Sequence, residues 1–346
     1  RILHTFVSLF MFLTQKTEYS IVKIDMSREV LDFSAFVFST VLIAILGRID
    51  MSFNLKATIE KRNFIFSKKG YIPWQPEFEK FGTKYNNSIQ APDNLLSGII
   101  ADFYEIENAD FAEKSLLTIP DGCTDFMFAF DGHKLRSYIS TGVKENKKFF
   151  FGDIKTLFGV RFMPGSTYHI FKDPIKDMVH HPVYLDSVLK NVNDLSDKFL
   201  ECQTFQDRTS LLSDFILSNL CWEDSKCEII TNLTNLIFHK RGNIRIEEMS
   251  SQLGYSTRYI QDVCNEYIGM PPKEFCQTVR MQYALILEQK NPQASLETIA
   301  SFAGYADVSH MNREFKKYMF CRMSDIRQDK VNKYEKKAEQ IIFSRN

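Results

Sequence analysis

The chain has 346 residues, length for about two domains, and its 43 Lys and Arg balance 43 Asp and Glu, leaving a net charge of +0 and a pI of ≈ 7.2. With no protein-wide basic field, any nucleic-acid patch must be local, and 44% hydrophobic with 25% charged residues excludes a disordered chain. Seven Cys without a CxxC pair argue against a disulfide scaffold and a structural zinc site, and fit a reducing compartment.

The first fifty residues differ from the rest. Two apolar runs, 2–13 and 33–46, flank a stretch carrying Lys16, Glu18, Lys23, Asp25, Arg28 and Asp32. Each falls short of the roughly 20 apolar residues of a spanning helix. Gly47-Arg48-Ile49-Asp50 supplies no small-residue cleavage site of a signal peptide. Ordinary soluble composition begins at Met51. The favoured expectation leaves residues 1–50 outside the working protein; a membrane anchor through 33–46 and a buried extra helix are the alternatives.

From about residue 64 to 163, strand-forming residues dominate. Ile99-Ile100-Ala101-Asp102-Phe103-Tyr104 predicts one strand, and Asp125-Phe126-Met127-Phe128-Ala129-Phe130, closed by Asp131-Gly132, a second. Residues 157–163, ended by Pro164-Gly165, predict a third. The period then changes. Leu185, Val188, Leu189, Val192, Leu195 and Phe199 recur at three and four, predicting an amphipathic helix, and Leu211, Leu212, Phe215, Ile216 and Leu220 predict another. These helices are expected to pack on their own sheet; a dimer interface is the alternative, although the pattern stops short of sustained heptads.

Few residues here carry chemistry. Cys123 precedes an apolar strand with no Lys or His nearby to lower its pKa, and reads as a packed thiol. His169, His180 and His181 form no alternating pair and have no Glu at helical spacing, so no metal site is expected. The sequence has no GxSxG, no HExxH and no phosphate-cradling Gly loop, and neither catalytic residues nor a cofactor are expected.

The last hundred residues contain an internal duplication. Ile246-Glu247-Glu248-Met249-Ser250-Ser251-Gln252-Leu253-Gly254-Tyr255 matches Leu296-Glu297-Thr298-Ile299-Ala300-Ser301-Phe302-Ala303-Gly304-Tyr305 at an offset of 50. One residue is then gained, and at an offset of 51 Ile260 pairs with Met311, Gln261 with Asn312, Cys264 with Phe315, Tyr267 with Tyr318 and Phe275 with Ile326. A repeat at this period is one supersecondary unit used twice.

Each copy predicts helix, turn, helix. Ile246, Met249, Ser250 and Leu253 mark the inner face of the first helix. Gly254 permits the left-handed turn, Tyr255 is expected to plug the crossing, and Ser256 to N-cap the next helix. That helix turns Ile260, Val263, Cys264 and Tyr267 inward and ends at Gly269. In the second copy Leu296, Ile299, Ala300 and Ala303 are inner, Gly304 turns, Asp307 caps, and Met311 and Phe315 are buried. The outward rows are then Thr257, Arg258, Tyr259, Gln261 and Asp262 in the first unit, and Val308, Ser309, His310, Asn312, Arg313, Lys316 and Lys317 in the second.

A two-helix unit with a polar second helix suits the major groove of DNA. Arg258 and Arg313 are of the type that forks onto guanine, Gln261 and Asn312 of the type that pairs with adenine. Lys316 and Lys317 are placed for phosphate, which positions without reading sequence. Between the units, residues 272–289 predict a long helix with Phe275, Val279, Tyr283 and Leu287 on one side. Such a spacer would hold two recognition helices in successive grooves, roughly 34 Å apart. Residues 227–346 hold 17 Lys and Arg against 14 Asp and Glu, a modest excess that suits a few phosphate contacts.

These residues resemble the DNA-binding domain of the AraC/XylS family of bacterial transcription regulators. The matching pieces are Gly254-Tyr255-Ser256, Gly269-Met270-Pro271-Pro272-Lys273-Glu274-Phe275, Arg280, Ile299-Ala300, Gly304-Tyr305, Ser309-His310 and Arg313-Glu314-Phe315-Lys316-Lys317-Tyr318, within residues 227–327. The resemblance adds Ser256, Lys273, Arg280 and Asp307 to the residues expected at DNA. Pro120-Asp121-Gly122-Cys123, with Gly159-Val160-Arg161-Phe162 and Pro164-Gly165, resembles an N-terminal sensor found in part of the same family. Two departures stand out. Asp262 occupies a position usually basic in the family, where a carboxylate repels phosphate, accepts from cytosine N4, or pairs with Arg258. Phe320 and Met323 replace Gly269 and Pro272 of the first copy; a left-handed Phe costs about 1–2 kcal/mol, so the last helix of the second unit is expected to end differently.

The fold class expected is α+β: a strand-rich N-terminal sensor domain with packed helices, then an all-α domain of two helix-turn-helix units joined by a long helix. The expected divisions are residues 1–50, a sensor or dimerisation domain at 51–222, the DNA-binding domain at 227–330 and a charged tail at 331–346. The resemblance implies a cytoplasmic regulator whose partners are double-stranded DNA and RNA polymerase, with a small-molecule effector and a homodimer as further expectations. The alternatives are a membrane-tethered regulator and a DNA-repair methyl acceptor carrying the same segment; the latter requires a clustered cysteine acceptor site, for which the sequence offers no candidate.

Overall fold

The structure, a computed structural model, describes residues 71–327 apart from 72, 90–95, 108–115, 142–146, 150–152, 172, 179–182 and 221–224. The expectations for residues 1–50, for the tail at 331–346 and for His180 and His181 lie outside the described residues.

The described chain opens with a short helix α1 (Phe78–Phe81), followed by β1 (Lys84–Ile89), β2 (Ile100–Glu107), β3 (Leu116–Thr118), β4 (Thr124–Phe130), β5 (Leu135–Ser140), β6 (Lys147–Phe149), β7 (Thr156–Phe162) and β8 (Val183–Tyr184). Six strands form one antiparallel sheet in the order β1-β2-β7-β4-β5-β8, while β3 and β6 pair separately. The three predicted strands are β2, β4 and β7, neighbours at the centre. Their near-continuous apolar runs follow from burial on both faces. Phe103, Phe126, Phe128, Phe158 and Phe162 fill one side; Tyr104, Ile106, Met127, Ala129 and Leu157 fill the other, against Phe78 and Ile154.

Helices α2 (Val192–Glu201) and α3 (Phe205–Asn219) cover the phenylalanine face. Thr204 and Asp207 form a capping box that starts α3. The helix predicted from Leu185 is interrupted: Leu185–Ser187 is a 3₁₀ turn, and Asn191, at φ 61°, breaks the chain before α2 begins. Leu185, Leu189, Val192, Leu195 and Phe199 are nevertheless all buried in the sheet's core. The periodic pattern thus recorded burial rather than a single helix. Both helices pack on their own sheet.

The remainder is helical: α4 (Ser225–His239), α5 (Ile246–Leu253), α6 (Thr257–Ile268), α7 (Pro272–Lys290), α8 (Leu296–Phe302), α9 (Val308–Met319) and α10 (Met323–Arg327). Two cores form here, and α7 serves both. Phe275, Cys276 and Val279 join the core of α4, α5 and α6, whereas Met281, Ala284 and Leu285 join that of α8 and α9. The N-terminal domain contributes to each: Tyr71 and Tyr168 to the first, Trp74 and Ile119 to the second. Among the described residues, no helix is long and apolar enough to cross a membrane.

Candidate nucleic-acid interface

In the first unit, α5 ends at Gly254, φ 75°, and the chain re-enters α6 through Ser256, whose Oγ accepts from Tyr259 N at 3.2 Å. Ile260, Val263, Cys264 and Tyr267 face inward, and Gly269, φ 81°, ends the helix. Thr257, Arg258, Tyr259, Gln261 and Asp262 are exposed as the periodicity predicts, and among the described residues no ion pair joins Arg258 to Asp262. Positive φ at these turns explains the glycines; an L side chain there strains the backbone.

The second unit repeats the design. Ser295 Oγ accepts from Thr298 N at 3.1 Å to start α8, Gly304 turns at φ 81°, and Asp307 Oδ1 accepts from His310 N at 2.6 Å to start α9. Met311, Phe315 and Tyr318 are buried; Ser309, Arg313, Lys316 and Lys317 are exposed; Val308, His310 and Asn312 are half-buried. Lys317 Nζ lies 2.9 Å from the Tyr318 hydroxyl and 3.9 Å from Glu274 Oε1, and Lys273 is exposed on the first turn of α7.

Two expectations need correction. Phe320 does take the left-handed cap, at φ 56° and ψ 11°, so α9 ends as α6 does. Contacts of the next few residues offset the strain: Cys321 and Met323 are buried, and Asn312 Oδ1 accepts from Met323 N at 3.2 Å to start α10. Second, Tyr255 does not plug its crossing. It is 40% exposed and packs on Tyr259 with ring centroids 5.4 Å apart, whereas its counterpart Tyr305 is 5% exposed. Arg280 and His310 cover Tyr305, at 4.9 Å and 5.4 Å from its ring. Burial, with Glu314 nearby, raises the Tyr305 phenol well above its ordinary range.

Arg280 is committed inside the protein. Its Nη2 donates to Glu314 Oε1 at 2.5 Å, and Nη1 donates to Asn243 Oδ1 at 3.3 Å. Burial opposes the guanidinium charge, but Glu314 and Tyr305 more than restore it, and its pKa stays raised. Glu314 also accepts from Gln277 Nε2 at 3.0 Å, and Gln277 Oε1 accepts from the Tyr318 hydroxyl at 2.6 Å. Asn243 Nδ2 reaches Ala303 O at 3.2 Å. This polar set ties α9 to α7 and to the turn after α4. Of its members, only Arg280 stands out in the sequence; Glu314 lies inside the matching motif, but nothing local marks it as the partner.

The remaining candidates fall elsewhere. Cys123 is buried, and burial with Asp121 nearby raises its thiol well above the usual range. Cys227, Cys264, Cys276 and Cys321 are also buried, with Cys202 partly exposed. His169 is buried in the 3₁₀ turn Ser166–His169.

A family model described as a helix-turn-helix domain matches residues 249–329, and one described as a domain of unknown function (DUF6597) matches residues 89–183. No curated protein matches the chain. Among solved structures, the chain is similar to ToxT from Vibrio cholerae at 1.65 Å, with 13% identity, 71% of this chain and 98% of that chain covered, and a TM-score of 0.37. It is similar also to wild-type ToxT bound to an unsaturated fatty acid, with 14% identity, 71% and 95% covered, and a TM-score of 0.36. The matched segment 249–329 spans both capped turns and both exposed rows, and with this duplicated geometry it is a helix-turn-helix domain.

Proposed function

We propose that the protein is a cytoplasmic, sequence-specific transcription regulator that sets α6 and α9 into neighbouring major grooves on one face of the duplex. One observation carries this reading: two N-capped helices, each with its apolar row buried and its polar row exposed, are mounted on a single helix that belongs to both cores. Such a mounting fixes the distance between the rows, as reading two sites one helical turn apart requires. Arg258, Gln261 and Arg313 are assigned to base edges, and Ser309, Lys273, Lys316 and Lys317 to the backbone. Tyr255 and Tyr259 add a neutral aromatic contact at the entering end of α6. Arg280 is assigned to positioning α9. Asn312 is assigned a base contact through its amide, since its carbonyl oxygen starts α10.

The N-terminal domain is assigned control of affinity, with a small-molecule effector or a second copy as its partner and RNA polymerase as the target of the DNA-bound form. The test is selection of duplexes from a random pool by the full chain, then footprinting. A discrete protected tract spanning two adjacent grooves is expected. Arg313→Ala should then cost about 1–3 kcal/mol on the selected site and relax preference at one position. Absence of any selected sequence, or unchanged discrimination by the variant, refutes the assignment.

A further inference from the structure

A continuous buried polar path leads from the centre of the sheet to the linker helix α7. Asp102 on β2, Arg161 on β7 and Asp125 on β4 are register neighbours on three adjacent strands. Arg161, 3% exposed, donates through Nε and Nη2 to the two Asp125 oxygens at 3.0 and 2.9 Å, with its guanidinium 4.8 Å over the Phe78 ring. Its Nε also stands 3.8 Å from Asp121 Oδ2. Through Asp121 the strand cluster meets the loop at residues 119–123.

That loop is held as one piece. Asp121 Oδ1 accepts from Cys123 N at 2.9 Å, and Oδ2 from Gln75 Nε2 at 2.7 Å. Gln75 Nε2 also donates to Ile119 O at 2.8 Å, while its Oε1 accepts from Ile119 N at 2.9 Å. The Tyr71 hydroxyl donates to Asp121 O at 2.7 Å. On the other side the loop reaches α7. Pro120 O accepts from Gln282 Nε2 at 2.9 Å, and Gln282 Oε1 accepts from Trp74 N at 2.9 Å. At Gly122, φ 74°, an added Cβ would come 2.8 Å from Phe275 Cε2, so the loop backbone lies directly on α7.

Gln282 is 0% exposed, and both of its hydrogen bonds go to the N-terminal domain. A buried amide is costly when unpaired, so it favours the one placement of α7 at which both partners are met. Because α7 contributes to both helix-turn-helix cores, a shift of α7 alters the spacing of α6 and α9.

We propose that the 119–123 loop is the coupling element of this protein: the state of the Asp102–Arg161–Asp125 cluster sets, through Asp121, Pro120 and Gln282, the placement of α7 and hence the affinity for DNA. The proposal rests on the reading of α6 and α9 as DNA-reading helices. A passive interface, by contrast, would stabilise the fold and leave affinity alone.

The test is a double-mutant cycle in the full chain with Gln75→Met and Gln282→Met, which keep length and remove the hydrogen bonds from either side of the loop. The probe is a duplex selected by the wild-type chain. Each single substitution should change affinity about fivefold or more, and the double no more than the larger single. Effects that multiply, or singles within about twofold of wild type, overturn the coupling. Amide hydrogen exchange of the free proteins supplies a second readout. Gln75→Met, which leaves α7 untouched, should speed exchange around Gln282; unchanged exchange overturns the proposal even where Gln282→Met is too unstable to assay. If the wild-type chain selects no duplex, the DNA reading fails separately, and exchange decides whether the loop holds α7.

Discussion

Replacing Glu314 by glutamine probes how firmly α9 is held on the linker helix. Glu314 is 5% exposed, accepts from Arg280 at 2.5 Å and Gln277 at 3.0 Å, and has His310 Nε2 at 3.5 Å. Glutamine keeps the shape and removes the charge, leaving the Arg280 guanidinium beside Tyr305 without its counter-ion. Breaking one side of a buried pair costs about 3–5 kcal/mol. Arg280 keeps 14% side-chain exposure and its bond to Asn243, which offset part of that loss. A cost of about 2–3 kcal/mol is therefore expected, and at about 2–4 °C per kcal/mol the melting midpoint should fall by roughly 4–12 °C. Thermal and urea unfolding of wild type, Glu314→Gln and the joint Arg280→Met, Glu314→Leu replacement measure this. The joint replacement should recover most of the loss, because apolar residues of similar volume are often neutral where an ion pair was. Glu314→Gln within about 0.5 kcal/mol of wild type, or a joint variant less stable than the single, refutes the reasoning. Binding to the selected duplex supplies the second readout: loss of base preference in the joint variant would place Arg280 at DNA after all.

Lys317→Ala should weaken binding to all sequences alike and reduce the salt slope by about 0.9, measured by titration at several ionic strengths; a sequence-dependent loss would place Lys317 at a base. Asp262→Arg should strengthen binding, and a weaker complex would show that the carboxylate itself reads a base. Burial pushes the Asp102 carboxyl up to about 6, against the pull of Arg161 and with Asp125 and Asp121 adding to the rise. The folded state then holds this proton more tightly than the unfolded chain. Its contribution is greatest at low pH and is lost as pH rises from about 4 to about 6, by at most ~3 kcal/mol. Asp102→Asn should accordingly gain stability relative to wild type across that window in urea unfolding; a difference independent of pH there counts against the shift.

Much of the candidate interface can be read from short stretches of chain. The offset between the two Gly-Tyr turns, the caps at Ser256 and Asp307 and the spacing of Ile260, Val263, Cys264 and Tyr267 are local signals, each complete within about a dozen residues. Hydrogen bonding and periodicity act over that range, so turn, cap and inner face emerge without knowledge of the rest. The central strands are legible for the same reason: alternate residues serve opposite faces, and both faces here are apolar. Helix α4 carries an equally local signal, with Cys227, Ile230, Leu233 and Ile237 at helical spacing, although no motif draws attention to it.

Other features depend on partners far along the chain. Both helix-turn-helix units turn at Gly-Tyr, yet Tyr305 is covered and Tyr255 is exposed, because only the second has Arg280 and His310 over it. A left-handed Phe320 defies the local rule, since burial of the residues after it and the Asn312 cap outweigh about 1–2 kcal/mol of backbone strain. Gln282 reads as an ordinary polar helix residue; its partners Trp74 and Pro120 lie 208 and 162 positions away. Local patterning therefore yields the pieces and their inner faces. Which polar side chains are withdrawn from water is settled by assembly, because desolvation is imposed by whatever segment arrives to cover them.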